Sequence, residues 1–434
     1  MKRLLSLLTL LLLTALAYFG WPVYQFYAFN LEKVPVLASA APLPQGPLPH
    51  QSHHGPALGA FNTRAADILK TTRATSNAPG ISAAIAHRGE LVWQGTLGYA
   101  DIKTKTALTP KHQFRIGSTS KAVTATLMAK LMQEQNFNLD TPLQDSLTPL
   151  PNPAWRDITP RQLASHSAGL PHYKGNQDRI GLYRSLSLNT QFDRVQDAVA
   201  QFDEGPLRAK PGDAFYYSSY GTVLLSAVLA QHAQRPYLDL LKQHVLTPLG
   251  MRHSGTESQG NKLATFYFSR RGQDARYIPW RPVNLSHRLA GGGLISTPSD
   301  LVRLGSGYLD PHYLHPAVRK QIWTPQRLNH GEVNPQNYAL GWRRHEYQHN
   351  GQPAFTYYHH GGVSRGSQSM LIVVPHHQLS VAVNINSKTK PFWIFGEAAL
   401  KLAHAYVQLT EQAQREPLDT KVSAASSTAS LLAK

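Results

Sequence analysis

The sequence has 434 residues, with 43 Lys and Arg against 25 Asp and Glu, a formal net charge of +18, and no cysteine. With 42% hydrophobic and 16% charged residues it is typical of a globular protein, which excludes collagen-like, coiled-coil and wholly disordered chains. The absence of cysteine excludes disulfides, thiolate zinc sites and cysteine nucleophiles. Because the basic residues are not gathered with aromatic residues in a groove-like pattern, no nucleic acid is expected as a partner. The positive charge favours anionic ligands or an anionic membrane.

The first segment of the chain is apolar enough to cross a membrane. Lys2 and Arg3 precede a charge-free stretch, and residues 4–24 would span about 30 Å of hydrocarbon as a helix. We therefore predict that residues 1–30 are a single-pass anchor in the cytoplasmic (inner) membrane, with the rest of the chain periplasmic. A signal peptide cleaved after Ala40, followed by secretion to the periplasm, stays open as an alternative.

Composition also separates the ends of the chain from its centre. Residues 31–56 are rich in proline and lack apolar periodicity, which predicts a linker. Residues 416–434 end in an Ala- and Ser-rich stretch, which predicts a flexible tail. The folded domain is therefore expected over residues 57–415.

Short alternating runs predict strands in this domain, and apolar residues three and four apart predict helices. In chain order the pattern gives strands at 81–86 and 91–93, helices at 118–135, 159–169, 221–234, 237–245 and 297–308, strands at 338–347, 354–359, 369–374 and 379–385, and a helix at 392–409. The predicted fold class is α/β (α+β), an antiparallel sheet flanked by helices. The sheet part comprises residues 57–115 and 288–412, and a mainly helical region, 116–287, is inserted.

Three stretches match catalytic patterns but lie in unsuitable local structure. Residues 345–349 match the zinc motif HExxH, yet on a strand with about 3.3 Å per residue the two histidines stand roughly 13 Å apart. Residues 362–366 match the GxSxG nucleophile elbow, which needs a following helix, whereas a strand follows here. Residues 387–390 match Ser-x-x-Lys but leave a strand and meet Pro391. None of the three is expected to be a site, and no metal site is predicted.

Ser118 and Lys121 form a fourth match, Ser-x-x-Lys, at the start of a predicted helix. Their spacing places both side chains on one helix face, one turn apart. A serine needs a nearby base to become a nucleophile, and a lysine kept neutral by burial and by nearby positive charge can act as that base. The N-terminus of the helix would stabilise a developing oxyanion. An isolated match would more simply be an N-cap serine beside a solvated lysine.

Four further motifs accompany this pair in order along the chain. The set comprises residues 114–121 (FRIGSTSK), 158–171 (ITPRQLASHSAGLP), 211–219 (PGDAFYYSS), 290–297 (AGGGLIST) and 359–362 (HHGG). Together they resemble the serine β-lactamase and penicillin-binding protein superfamily, in its class C-like (peptidase S12-type) branch, over about residues 61–409. Within that branch the pattern is most similar to the mitochondrial serine β-lactamase-like proteins and their bacterial relatives.

The resemblance implies an acyl-enzyme mechanism without metal or organic cofactor. Ser118 would attack a carbonyl, Lys121 would accept its proton, and Tyr217 would help pass protons to the leaving group and later activate water. Because an unperturbed tyrosine is a poor base at neutral pH, Lys121 is expected to lower its pKa. The backbone N–H groups of Ser118 and Gly362 would form the oxyanion hole.

The resemblance also implies three substrate-binding residues, Ser219, His359 and Gly361. Ser219 stands where many relatives carry Asn, and its hydroxyl lacks the paired donors and acceptor of an amide. His359, followed by Gly361, stands where other branches carry Lys-Thr-Gly. It would line the site, either protonated and facing a substrate carboxylate or as a satisfied histidine at the strand edge.

The expected function is therefore that of a serine hydrolase acting on a small-molecule or peptide substrate with an amide or ester carbonyl. The specific activities expected are those of a D-amino-acid peptidase, another peptidase or an esterase. A β-lactamase in the strict sense is one alternative, although it needs fast deacylation and no deacylating acid is evident. A non-enzymatic, membrane-anchored receptor or scaffold is another, against which the intact Ser118, Lys121 and Tyr217 argue.

Overall fold

The computed structural model describes residues 2–31, 33, 35, 38–55, 58–202, 204–270, 276–348 and 354–415, and the predicted tail lies outside them. The helices are α1 (Lys2–Asn30), α2 (Gly59–Thr75), α3 (Ser120–Gln135), α4 (Leu143–Ser146), α5 (Pro160–Ser165), α6 (Arg179–Ser187), α7 (Val195–Val199), α8 (Ser219–His232), α9 (Tyr237–Leu241), α10 (Pro298–Leu309), α11 (Pro316–Trp323) and α12 (Trp393–Arg415). The strands are β1 (His50–His54), β2 (Gly80–His87), β3 (Glu90–Asp101), β4 (Thr106–Ala107), β5 (Phe114–Arg115), β6 (Gly255–Thr256), β7 (Tyr267–Arg270), β8 (Arg276–Pro279), β9 (Leu294–Ser296), β10 (Arg343–Tyr347), β11 (Phe355–Ser364), β12 (Ser367–Val374) and β13 (Leu379–Ile385).

One antiparallel sheet forms the centre of the fold. Its strand order is β1-β3-β2-β13-β12-β11-β10, and β4 pairs with β3 beside this path. The pairing of β2 with β13 joins strands from the two ends of the domain, so the helical region between them is an insertion. The predicted class, an antiparallel sheet flanked by helices, is confirmed.

The two faces of this sheet bury separate cores. Successive side chains of a strand point to opposite faces, so Met370 and Ile372 of β12 pack with α2 and α12, whereas Leu371 and Val373 pack with α10 and the inserted helices. Every residue of β12 and β13 is buried. A short, continuous apolar run is the pattern of a strand covered on both sides.

The helix that begins next to the Ser-x-x-Lys motif lies at the centre of the inserted region. Sequence periodicity predicts an amphipathic helix, but residues 120–131 of α3 are all buried. Its polar side chains are satisfied internally, because Thr126 Oγ1 donates to the Ala122 carbonyl at 2.8 Å and Thr124 Oγ1 donates to the Ala290 carbonyl at 2.8 Å. The first three turns of α3, which carry Lys121, are therefore surrounded by protein.

Among the described residues, α1 is long and apolar enough to cross a membrane, and most of its side chains are exposed. The last turns of α1 are partly buried and pack against the folded domain. The Phe29 ring lies 4.0 Å from the Trp280 ring and 5.2 Å from the Phe268 ring, and Phe26 is also buried.

Two local differences from the sequence prediction follow from tertiary contacts. Residues 50–54 lie in the predicted linker, but they pair with β3 as an edge strand, and their polar sequence (HQSHH) gives no strand signal. The predicted strand 338–347 is strand only from Arg343, because Gly341 adopts a positive φ of 75° and turns the chain before β10 begins.

Candidate active site

The turn that carries Ser118 is wedged against β11. Gly117 has a φ of 52°, and a Cβ built on it would lie 2.7 Å from the backbone of Val363. A Cβ on Gly362 would lie 1.8 Å from the Ile116 carbonyl oxygen and 2.9 Å from the Ser118 nitrogen. Only glycine allows this close approach at either position. The Ser118 backbone N–H and the backbone of β11 are thereby brought side by side.

Lys121 lies three residues after Ser118, about one helical turn further along the chain, and 2% of its surface is exposed. Its Nζ donates to the Gly291 carbonyl at 2.5 Å and to Ser219 Oγ at 2.8 Å, and it lies 3.4 Å from Ser118 Oγ. Burial lowers the pKa of Lys121 to about 7. Burial is the largest cause of this shift, the charges of Arg343 and Arg288 contribute to it, and Tyr173 opposes it. A substantial fraction of the amine is therefore neutral near pH 7, as a general base requires.

Tyr217 lies beside both groups, at the end of the loop that leads into α8. Lys121 Nζ is 5.0 Å from the centre of its ring, and its hydroxyl shares a hydrogen bond with Ser118. Burial raises the pKa of Tyr217, and the Arg343 charge and the Ser118 hydrogen bond reduce this rise only in part. The expectation that Lys121 lowers this pKa is therefore wrong in direction. Tyr217 is a neutral phenol, which can donate a proton and receive another.

Comparison with known proteins decides the family. The chain matches the family described as Beta-lactamase over residues 65–405, which is most of its length. It belongs to the beta-lactamase family. Over 405 residues, 73% of each chain, it is 26% identical to "Serine beta-lactamase-like protein LACTB, mitochondrial" of Mus musculus.

Solved structures of other proteins share the fold at low identity. The D-amino acid amidase from Ochrobactrum anthropi SV3, complexed with D-phenylalanine, is 20% identical, with a TM-score of 0.65 over 82% of this chain and 100% of that one. The octameric penicillin-binding protein homologue from Pyrococcus abyssi is 23% identical, with a TM-score of 0.63 over 80% and 77%. The chain is thus a β-lactamase-like serine hydrolase by family, and it shares its fold with these two structures.

In this beta-lactamase family member, the alternation of β11 turns His359 and Gly361 away from Ser118. A Cβ on Gly361 would lie 2.5 Å from the Phe392 ring, and the His359 ring lies 5.9 Å from Trp393, on the face covered by α12. His360 occupies the other face, where its Nε2 shares a 2.9 Å hydrogen bond with the Tyr338 hydroxyl. The sequence-based choice of His359 and Gly361 as substrate-binding residues is one position out of phase with the strand.

The environment of His359 also differs from the expectation of a protonated group facing a carboxylate. Its Nε2 shares a 2.8 Å hydrogen bond with His345 Nδ1, and 3% of the residue is exposed. Burial holds the pKa of His359 well below its ordinary value, with Arg343 and His345 adding to the effect. The alternative role, a satisfied histidine at a strand edge, fits only in part, because Nδ1 of His359 is buried without a hydrogen-bond partner and β11 lies between β12 and β10.

Ser219, the other expected substrate contact, is hydrogen-bonded to the Lys121 amine. It is buried at the first position of α8, and its Oγ accepts the hydrogen bond from Lys121. Its backbone N–H donates to His172 Nδ1 at 3.2 Å. The Ser219 hydroxyl therefore orients the Lys121 amine. The longer side chain of an asparagine here could instead bond to a substrate amide.

Several residues of this site were missed by sequence reasoning. The ring of His166 lies 4.2 Å from that of Tyr217, and its Nδ1 accepts the Ser218 N–H at 3.3 Å. The guanidinium of Arg343 lies 5.5 Å from the Tyr217 ring and donates to Gln336 Oε1. His166 stands inside a quoted motif, whereas no local pattern marks Arg343, which comes from β10 in another part of the chain.

The remaining catalytic look-alikes lie on strands and in loops, and the GxSxG stretch borders Ser118 through Gly362. His345 of the HExxH pattern lies on β10, and His349 lies outside the described residues. The GxSxG stretch forms the end of β11 and the turn into β12, with a strand in place of the required helix. Ser387 follows β13 in a loop.

Proposed function

We propose that the protein hydrolyses amide or ester bonds through an acyl-enzyme on Ser118. The observation that carries the proposal is the buried amine of Lys121, with a pKa lowered to about 7 and its nitrogen 3.4 Å from Ser118 Oγ. In the first step the neutral amine takes the hydroxyl proton while Oγ bonds to the substrate carbonyl carbon. The carbonyl oxygen becomes an oxyanion.

The proposed oxyanion hole consists of the backbone N–H groups of Ser118 and Gly362. The absence of side chains at Gly117 and Gly362 supports it, because any side chain there would push the turn and β11 apart. In other enzymes the loss of one such donor costs about 3 to 4 kcal/mol of transition-state stabilisation.

Tyr217 is proposed to complete the proton path. As the tetrahedral intermediate collapses, the neutral phenol donates its proton to the leaving amine or alkoxide and is reprotonated by Lys121. In deacylation Lys121 and Tyr217 carry protons in the opposite direction. Water loses a proton to the lysine amine and attacks the acyl carbon. The raised pKa of Tyr217 supports a role as proton donor and argues against a resident phenolate.

Family membership and the name of the amidase neighbour support a peptide, an amino-acid amide or an ester as substrate. The apolar α1 supports a membrane location, with residues 1–30 as an anchor and the domain on the periplasmic side. A signal peptide cleaved after Ala40 would place the same domain in the periplasm.

A hydrolysis panel tests this function. The full chain in detergent would be assayed with D-phenylalanine amide, L-phenylalanine amide, p-nitrophenyl butyrate and a penicillin. Ser118→Ala should abolish every activity that the wild type shows, while Ser387→Ala, in the other Ser-x-x-Lys pattern, should keep it. Turnover that survives in Ser118→Ala protein of unchanged melting temperature would reject the proposal.

A further inference from the structure

A group of arginines lies between the end of α1 and the Ser118 site, with Arg115 and Arg288 buried and Arg281 and Arg365 partly exposed. Arg115 has a bidentate partner in Glu257, at 2.6 and 2.7 Å. Arg281, Arg288 and Arg365 have no carboxylate within ion-pair distance in the part of the chain that the structure describes. Burial and, to a smaller extent, the neighbouring arginine charges together lower the pKa of Arg365 to about 9. Arg281 and Arg288 donate to backbone carbonyls and to a histidine ring, which are neutral acceptors. Their positive charge therefore has no balancing carboxylate, and burying such charge is costly to the fold.

The same region holds hydrogen-bond donors that no protein acceptor satisfies. The Nε groups of Arg281 and Arg365, the Trp280 Nε1 and the Tyr173 hydroxyl are buried without a partner. Arg288 is 7% exposed and its guanidinium covers the Tyr173 ring at 4.0 Å. We call these five residues the arginine pocket. Buried unpaired donors cost about 1–3 kcal/mol each, so the pocket suits a ligand that carries several acceptor oxygens and negative charge.

The arginine pocket borders the catalytic residues. Arg115, three residues before Ser118, donates to the Arg365 carbonyl at 2.8 Å. Arg365 is the first residue of the turn after β11 and follows the proposed oxyanion glycine, Gly362, by three residues. Tyr173 acts electrostatically on both Lys121 and Arg365. An anionic group in the pocket could therefore belong to the molecule whose carbonyl reaches Ser118.

The end of the proposed anchor forms the other side of the pocket. The Arg365 guanidinium lies 4.5 Å from the Phe26 ring, and Phe29 stacks beside Trp280 at 4.0 Å. Further back in the helix, Phe19 contacts Tyr183 of α6 at 6.4 Å between ring centres. If residues 4–24 span the membrane, the pocket lies at the level of the lipid headgroups.

Exposed apolar side chains are placed on the same side of the domain. Among the described residues after α1 and Leu31, the large hydrophobic residues that are strongly exposed are Ile180, Val363 and Trp393. Ile180 is 64% exposed and lies on α6, the helix that touches the anchor, and Val363 is 44% exposed and stands two residues before Arg365. Both could contact acyl chains at a membrane surface.

We propose that the arginine pocket binds the anionic group, phosphate or carboxylate, of an acylated amphiphile that lies in the membrane interface with its ester or amide carbonyl at Ser118. This inference rests on the proposed function and names its substrate class. The pocket would hold the head of the amphiphile while its acyl chain runs along the apolar rim near Val363.

Binding to full-length Ser118→Ala protein in dodecyl maltoside at 0.15 M salt tests the proposal without turnover. The probes are 1-palmitoyl-lysophosphatidylglycerol, N-palmitoyl-glycine and the uncharged monopalmitoylglycerol. At least one anionic probe should bind about tenfold or more tightly than the uncharged one, as expected for a charged hydrogen bond. The phosphate and carboxylate arms show which anion is preferred.

Variants of the same Ser118→Ala protein assign the preference to the pocket. Arg365→Gln should reduce the ratio of anionic to uncharged affinity to less than about twofold, and Arg365→Lys, which keeps the charge, should retain part of it. Arg156→Gln, at an exposed arginine paired with Asp157, removes the same charge elsewhere and should leave the ratio intact.

Equal affinity for all three probes, or a preference that persists in Arg365→Gln, would overturn the proposal. So would equally tight binding of a soluble acidic peptide without an acyl chain. Labelling of the wild-type protein by a fluorophosphonate distinguishes failure of the arginine-pocket proposal from failure of the proposed function. Labelling on Ser118 without an anionic preference would reject the pocket alone, whereas absence of labelling on Ser118 would reject the proposed function.

Discussion

The pH dependence of Ser118 acylation measures the state of the base directly. With a pKa of about 7, about half of the Lys121 amines are neutral at pH 7, against about 0.03% for a lysine at its ordinary pKa of 10.5. The difference of 3.5 pKa units corresponds to about 5 kcal/mol that disfavours the charged amine in its buried position. Phosphonylation of Ser118 by an uncharged fluorophosphonate, in which Oγ bonds to phosphorus and fluoride leaves, should therefore be about a thousandfold faster at neutral pH than an unperturbed lysine would allow.

The assay is the rate of fluorophosphonate labelling of the full chain between pH 5 and pH 10. The rate should fall about tenfold per pH unit below 7, because only the neutral amine accepts a proton, and should level off above about pH 8. Arg343→Gln should move the midpoint to higher pH, since its charge lowers the pKa of Lys121. Arg344→Gln, one residue along β10, should not. A rate independent of pH, or a midpoint near 10, would refute the assignment of Lys121 as the base.

Three further outcomes follow from the geometry. Tyr217→Phe keeps the ring but loses the transferable proton, so steady-state hydrolysis should fall by about 10²- to 10⁴-fold while fluorophosphonate labelling persists. Gly362→Ala places a methyl group 1.8 Å from the Ile116 carbonyl oxygen, so labelling and melting temperature should both fall, whereas Gly59→Ala, with nothing within 4 Å, should change neither. Lys121→Met should be inactive yet raise the free energy of unfolding by a few kcal/mol below pH 7, as urea unfolding would show, and the gain should fade toward pH 10.

The sign of the last effect follows from proton binding. The folded pKa of Lys121 lies near 7 and the unfolded pKa near 10.5, so the unfolded chain binds more protons between these values. The wild type therefore becomes more stable as the pH rises through this window, and below it carries the full cost of burying the charged amine. Methionine has no such charge, so a stability gain that is the same at pH 6 and pH 10 would contradict the pKa shift.

Local features of the site could be predicted from the sequence. Ser118 and Lys121 stand three residues apart at a helix start, and helix geometry alone brings their side chains together. Residues 370–374 of the central strand β12 form a continuous apolar run, and their burial follows from composition. The sheet, its flanking helices and the resemblance to the family could all be predicted from such local patterns.

Features that depend on the partner of a segment could not be predicted. Period-two alternation separates His359 from His360, but the sequence does not say which strand face meets Ser118. β1 is polar and forms only because the edge of β3 is available for pairing. The direction of the pKa shift of Tyr217 depends on burial, and the cations Arg288 and Arg343 reach the site from segments far from Ser118 in the chain.

The central claim is that one serine, activated by a buried amine, carries the chemistry. The most direct measurement is peptide mass spectrometry of the full chain after exposure to a fluorophosphonate and, separately, to a penicillin. The phosphonyl adduct is predicted on the peptide that contains Ser118 and should be absent from Lys121→Met protein. An adduct on Ser364 or Ser387, or full labelling in the absence of the amine, would contradict the account.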